Sequence, residues 1–366
     1  MNITTGLITL IEFVLAFGLL IFLHELGHFV AAKLSKIEVE EFGFGFPPRI
    51  FRLFNLSGTD ITINLIPLGG FVRLKGENDP EVPGGMAAAN PWKRLGVLLA
   101  GSTMNILTGM LLFAFVFSQI GAPDFQTVEI MDIAKNSPAA LAGIQIGDIV
   151  YEIEGVQIDS MEELSQIIKD NLGKAITVTI LRDGDRVAVE MVPREKPPEG
   201  EGALGIMMTN PSRDINILQS IPYGAMITFE QGRQLFLLPG RLIGGQVDPE
   251  EARFVGPKGI FDMYSQAREK DQEVTASSQS QTGNEIGSLN TIWLMAIISI
   301  AIGLTNLLPI PALDGGRILF LIPEILFKKR IPAQYENVIH FVGFSALILL
   351  MIYITTQDFI NPIQLP

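Results

Sequence analysis

The chain contains no cysteine. Disulfides and thiolate metal sites are thereby excluded, and the redox compartment cannot be read from cysteine usage. Charge is scarce. Of 366 residues, 18% are Asp, Glu, Lys or Arg, against about 25% in a soluble globular protein. Basic residues are the scarcer sign, 26 against 39 acidic, and the net charge of −13 argues against a nucleic-acid binder. Histidine occurs only three times. Two of the three standing four residues apart is therefore informative.

What is abundant is apolar. Hydrophobic residues make up 48% of the chain, and they gather in four runs: 7–34, 95–120, 289–308 continuing towards 313, and 340–354 extended back by Val338 and Ile339. A membrane span needs about 20 mostly apolar residues, so a polytopic membrane protein with four spans is expected. The first run has no basic leader and outlasts a signal-peptide core, so it reads as a retained span. The loop from Lys33 to Arg94 also carries Lys36, Arg49, Arg52, Arg73, Lys75 and Lys93, and the loop after the third run carries Lys328, Lys329 and Arg330. Positive loops stay cytoplasmic. Both termini and the central segment 121–288 are then expected outside.

The central segment opens with a compact α+β pattern. Strands are expected at 128–133 and 149–153, a helix at 161–170, and a hairpin over 176–192 turning at Asp183-Gly184. Residues 196–202 read as a linker by their Pro, Gly and Glu content. Residues 223–238 are apolar but carry Glu230, Gln231, Arg233 and Gln234. That pattern predicts an interfacial helix lying on the membrane. Residues 270–288 are rich in Ser, Gln, Thr and acid, which predicts a mobile loop.

The chemistry is carried by His24-Glu25-Leu26-Gly27-His28. On a helix, residues four apart share a face, so both imidazoles can reach one ion. Zinc suits imidazole nitrogen and activates water. Glu25 points to a neighbouring part of the surface, where a general base would stand. The bland reading is a chance motif on a surface helix. It loses weight because the motif lies within the first apolar run, where ionisable groups are costly. A catalytic zinc wants a third protein ligand. His340 opens the fourth run and reads more simply as an interfacial residue. Asp314 is the better candidate. It follows Pro309 and Pro311 and precedes Gly315-Gly316, the makings of a broken membrane helix that carries a ligand into a polar cavity.

The pairing of His24-Glu25-Leu26-Gly27-His28 with the downstream stretch from Asn306 to Gly316 resembles the site-2 protease family. The closer likeness is to its bacterial branch with a periplasmic PDZ domain, the regulator of sigma-E protease type. The resemblance implies zinc held by His24, His28 and Asp314, with Glu25 as general base and Asn306 near bound substrate. Gly101-Ser102-Thr103-Met104-Asn105 resembles the family's Gly-Pro-x-x-Asn pattern, with Ser102 in place of proline, so Asn105 stays a substrate-binding candidate. Gly96, Ala100 and Gly101 read instead as close helix packing by small residues. Gly43-Phe44-Gly45-Phe46, with 61–75 turning at Gly69-Gly70, resembles the family's re-entrant β-hairpin. An edge there would hold a substrate extended, which makes Gly43, Gly45, Gly69 and Gly70 substrate-side candidates. Ser137-Pro138-Ala139 with Ala142-Gly143-Ile144 and Gly147-Asp148 resembles a PDZ domain, and Leu204-Gly205-Ile206 its carboxylate loop.

These readings predict a polytopic α-helical membrane protein with four transmembrane helices, a re-entrant β-hairpin and an inserted α+β PDZ domain. The expected parts are a membrane catalytic half at 1–120 with the hairpin at 42–76, a PDZ domain at 121–209, an interfacial segment and linker at 210–288, and a second membrane half at 289–366. The expected activity is a zinc-dependent endopeptidase of the bacterial inner membrane, cutting within the span of a single-span substrate near the cytoplasmic face. The resemblance implies substrates that are pre-cleaved anti-sigma factors or signal-peptide remnants, with the PDZ domain binding or excluding peptide C-termini. A non-proteolytic PDZ scaffold with a structural metal is the alternative. It fits poorly with Glu25 and with a three-ligand site, since structural zinc is closed by four ligands. A metal transporter would show an inverted repeat, and none is visible.

Overall fold

The computed structural model describes residues 3–198, 200–245, 253–278 and 289–363. The N-terminal part forms α1 (Ile3–Leu34), β1 (Val39–Leu56), β2 (Thr59–Leu74) and α2 (Pro91–Ile120). Next come β3 (Ala122–Pro123), β4 (Val128–Ile133), α3 (Pro138–Leu141), β5 (Ile149–Ile153) and β6 (Val156–Gln157). They are followed by α4 (Met161–Asp170), β7 (Ile176–Arg182), β8 (Asp185–Met191), β9 (Ile206–Thr209) and β10 (Ser212–Arg213). The C-terminal part forms α5 (Ile217–Ile243), α6 (Pro257–Ser278), α7 (Asn290–Asn306), α8 (Asp314–Phe327) and α9 (Ala333–Ile360). These elements fall into two units, Ser118–Asn216 and the remainder.

Among the described residues of the larger unit, three helices are long and apolar enough to cross a membrane: Thr4–Leu34, Pro91–Ile120 and Ala333–Ile360. Beside them stands α7, the shorter apolar helix of the third run. The third apolar run is split, because α7 stops at Asn306 and α8 starts at Asp314. Pro309 and Pro311 lack the N–H that would continue α7. Of the loop expected at 270–288, the first nine residues, 270–278, belong to α6, whereas 279–288 lie outside the described residues. Burial explains the helix. Tyr264 and Ala267 pack with Phe13 and Leu20 of α1 and with Leu294, Met295 and Ile298 of α7. Arg268 donates to Thr9 Oγ1 at 3.1 Å and to Glu12 Oε1 at 3.0 Å.

The interfacial helix expected at 223–238 is longer and more engaged than its polarity suggests. A Cβ at Gly224 would lie 2.5 Å from Met110 O of α2, and one at Gly232 would lie 3.4 Å from a methyl of Leu304 in α7. α5 therefore packs along two neighbours, which a helix resting only on the membrane surface would not do.

β1 and β2 pair antiparallel with repeated register shifts. Glu41 to Phe44 each face two partners, one set from Asp60 to Ile63 and the other from Gly70 to Arg73. The ribbon thus curls on itself. Glu41, with its side chain only 3% exposed, is the polar pin of that curl. It accepts two bonds from Arg49 at 3.1 and 2.9 Å, one from Thr62 Oγ1 at 2.8 Å, and pairs with Arg73 at 2.7 Å.

The smaller unit is an α+β fold. Its six-stranded sheet runs β8-β7-β5-β4-β9, with β6 paired to β5. Val128, Ile130, Ile153, Leu164, Ile176 and Ile180 are among the residues of its core. β7 and β8 meet at Asp183-Gly184, both at positive φ, the geometry of a type I′ hairpin turn. Ser137 and Ser160 cap α3 and α4 by accepting N–H bonds of 3.1 Å from Ala140 and Glu163. Asp148 is buried. It accepts from Arg182 at 2.8 and 2.7 Å and from Gln145 N–H at 2.7 Å. Burial pushes its carboxyl up, but these bonds outweigh burial and hold it below the ordinary carboxylate value.

Candidate metal centre

α1 is apolar on nearly every side, so its only ionisable residues below Glu12 and before Lys33 stand out: His24, Glu25 and His28. His24 and His28 are 7% and 9% exposed. Their Nε2 atoms lie 3.2 Å apart. Asp314, the first residue of α8, brings Oδ2 to 3.2 Å from His24 Nε2 and 3.3 Å from His28 Nε2. Among the described residues this trio is the group that could hold a metal ion.

The donor set fits zinc. A tetrahedral ion with bonds of about 2.0–2.1 Å spaces its ligand atoms about 3.3 Å apart, which is the triangle observed. Asp314 Oδ2 is buried and has no hydrogen-bond partner. Three lone-pair donors converging on one buried point need a cation more than they need one another. Nothing larger than a hydrogen fits on the far side. A Cβ at Gly101 would lie 2.3 Å from His28 Nε2 and 2.8 Å from His24 Nε2. Gly101 and Ala100 serve close helix packing as expected, since a Cβ at Gly27 of α1 would lie 2.4 Å from Ala100 O and 3.0 Å from Gly101 Cα. Beyond that, Gly101 makes room at the histidines. Gly96 has open space around it, so close packing does not explain it.

Each imidazole is oriented from behind. His28 Nδ1 is 2.8 Å from Val97 O and donates to it. That leaves Nε2 bare for a metal. His24 Nδ1 is 3.4 Å from the side-chain amide of Asn105, which is fully buried with Oδ1 unpartnered. With Nε2 bare, Nδ1 carries the proton and needs an acceptor. The Asn105 amide turned about its last bond presents Oδ1 to that N–H and relieves both groups. The structure thus places Asn105 behind His24 and not on an open substrate surface.

Glu25 leaves the trio and faces the hairpin. Its Oε2 accepts the Val72 N–H at 3.1 Å. Gly70 lies beside it, since a Cβ there would be 3.8 Å from Glu25 Cγ. Gly69, at φ 84, lies against Ile21 of α1 and Phe46. Gly43 and Gly45 are placed differently. A Cβ at Gly43 would meet Phe71 at 2.4 Å, and one at Gly45 would meet Ile66 O at 2.4 Å, both within the hairpin. Asn306 is the last residue of α7, half-buried. His340 does not join the trio; its Nδ1 accepts the Ala312 N–H at 2.8 Å. Sequence reasoning missed the parts supplied by backbone, Val97 O and Val72 N–H, because a backbone group leaves no mark in the sequence.

Comparison with known proteins adds an independent line. The profile of peptidase family M50 matches residues 12–350. A Clostridium perfringens protein named as a candidate zinc metalloprotease is 31% identical, over 95% of this chain and 98% of its own length. The regulator of sigma-W protease RasP of Bacillus subtilis is 27% identical, over 96% of this chain and 98% of its own length. Among solved structures, the PDZ domain of an SdrC-like protein from Listeria monocytogenes aligns with 23% of this chain and 88% of its own, at 20% identity and a TM-score of 0.21. That score is too low to assign a fold.

Proposed function

Because this chain belongs to peptidase family M50 and is a zinc metalloprotease of the site-2 type, we propose that it cuts single-span membrane proteins within their transmembrane segment. The observation that carries this is the convergence of His24, His28 and Asp314 at one buried point between apolar helices, with Glu25 alongside. His24, His28 and Asp314 are the ligands. A zinc ion held there supplies Lewis-acid activation of water and of the scissile carbonyl. Glu25 takes the proton of the attacking water and returns it to the departing amine. The Gly70-to-Val72 edge of the hairpin takes the substrate as an added strand, exposing a carbonyl that a helix would hide. Asn306 contacts the substrate backbone, and Asn105 fixes the His24 ring.

Cleavage would fall nearer the basic-loop end of α2 than its other end. Gly101 lies ten residues (101 − 91) into α2, about 15 Å at 1.5 Å per residue. The basic loops around Lys33 and Lys328 mark that end as cytoplasmic in a bacterial inner membrane. The sigma-W name of the Bacillus relative supports anti-sigma factors, already trimmed outside, as substrates, with signal-peptide remnants as a second source. The 118–216 unit serves as the PDZ domain that admits or excludes peptide ends. The test is reconstitution with a tagged single-span substrate. Glu25→Gln is expected to keep stoichiometric zinc and to lose cleavage by at least a hundredfold, the upper scale of general-base contributions being about 10⁴. Cleavage that persists in the variant overturns the mechanism.

A further inference from the structure

We infer that His340 is a positioning residue for the metal centre: through Nδ1 it holds the loop that presents Asp314. This rests on the reading of Asp314 as a ligand. Seven residues, 307–313, separate α7 from α8. They contain two prolines, and Ala312 stands at φ 78, a left-handed conformation that a residue bearing Cβ keeps only when its surroundings hold it. On one side α8 closes down on this loop. A Cβ at Gly315 would lie 2.3 Å from Leu307 O and from Leu308 O, and one at Gly316 would lie 2.3 Å from Ile310 O. On the other side stands α9. A Cβ at Gly343 would lie 2.4 Å from Pro311 Cβ, and one turn earlier His340 Nδ1 accepts the Ala312 N–H at 2.8 Å.

That bond fixes the ring. Accepting at Nδ1 places the proton on Nε2. Nε2 is buried without a partner, with Glu336 Oε1 4.0 Å away. Phe320 of α8 flanks the ring at 5.4 Å between centroids. A half-buried histidine that leaves its one N–H buried and unmet is held there for its other nitrogen. Ala312 N–H has no acceptor within its own loop. A backbone N–H deprived of its acceptor turns to find another, and Ala312 is only two residues from Asp314. The turn would therefore be passed to the carboxylate.

Two near-isosteric variants separate the nitrogens. Asparagine carries its oxygen where Nδ1 stands, and glutamine where Nε2 stands. Zinc affinity of the purified full chain is measured by competition with a chromophoric chelator, and folding by thermal melting. His340→Asn is expected within about threefold of the parent. His340→Gln is expected to bind zinc tenfold to a hundredfold more weakly, the usual effect of losing a group behind a ligand, while melting like the asparagine variant. Equal affinity of the two variants, whether both high or both low, overturns the inference. Asp314→Ala is the control. If it leaves affinity unchanged the ligand reading fails; if it lowers affinity and His340→Gln does not, only the role of His340 fails.

Discussion

At the scale of single residues, the centre depends on an absence as much as on its ligands. Gly101 brings α2 so near to α1 that any side chain would occupy the place where the two Nε2 atoms converge. An alanine there adds about 1 kcal/mol of helix propensity, but overpacking a tight contact costs typically about 1–3 kcal/mol. Gly101→Ala is therefore expected to fold but to melt lower than the parent, and to bind zinc at least tenfold more weakly in a chelator competition. Parent-like affinity would show that the helices part freely. A second residue-scale expectation concerns Asp148 and Arg182. A carboxylate held below its ordinary value contributes stability that is complete above about pH 4 and is lost as pH falls through the lowered value. Removing Arg182 leaves the Asp148 carboxylate with the Gln145 N–H alone. Arg182→Ala is expected to destabilise residues 118–216 at neutral pH and to flatten their acid loss of stability, read by hydrogen exchange in the full chain. The trio itself was legible, because His24, His28 and Asp314 are chemically costly where they stand. Gly101 was not, since its meaning depends on where Gly27 crosses Ala100.

At the scale of elements, composition misled where tertiary partners decide. The stretch after Lys270 looks like a loop because its side chains are small and polar. It stays helical to Ser278 because α6 is tied at its start and middle. Asp358, fully buried near the end of α9, accepts from Gly256 N–H at 2.9 Å, Gly259 N–H at 3.0 Å and Arg253 at 2.7 Å. The two glycine N–H groups are orphan donors at the start of α6 joined to a carboxylate, favourable for both bonding and helix dipole. Asp358→Ala strands both, while Arg253 keeps its bond to Asn361 O. It is expected to open α6 to limited proteolysis at least tenfold faster while zinc content stays unchanged. Cleavage at the parent rate would mean that α6 is held by its contacts with α1 and α7 alone. The hairpin shows the reverse case. Its alternation from Ile61 to Leu65 predicted a ribbon, and β2 is one. The curl pinned by Glu41 was hidden, because Arg49 and Arg73 meet it only after the ribbon folds over.

At the scale of the whole molecule, the spans and the inserted unit were readable from hydropathy and turn chemistry, and the break after Asn306 from its prolines. The sidedness is the claim with the widest consequence, since it decides from which compartment a substrate's cut end is released. Two cross-links support a single basic end of the membrane unit. Arg94, at the start of α2, pairs with Glu324 near the end of α8 at 2.7 Å, and Arg330 donates to Ala87 O at 2.8 Å. The loops that carry most of the unit's lysine and arginine therefore gather together, and such loops remain cytoplasmic. The lack of cysteine makes this directly testable. Lys329→Cys places one thiol in the basic loop between α8 and α9, and Lys169→Cys places one on the exposed face of α4. A membrane-impermeant maleimide added to intact cells is expected to label Lys169→Cys and to reach Lys329→Cys only after permeabilisation. The opposite pattern would invert the molecule, put the cut end of a substrate outside, and remove the anti-sigma reading while leaving the zinc chemistry untouched.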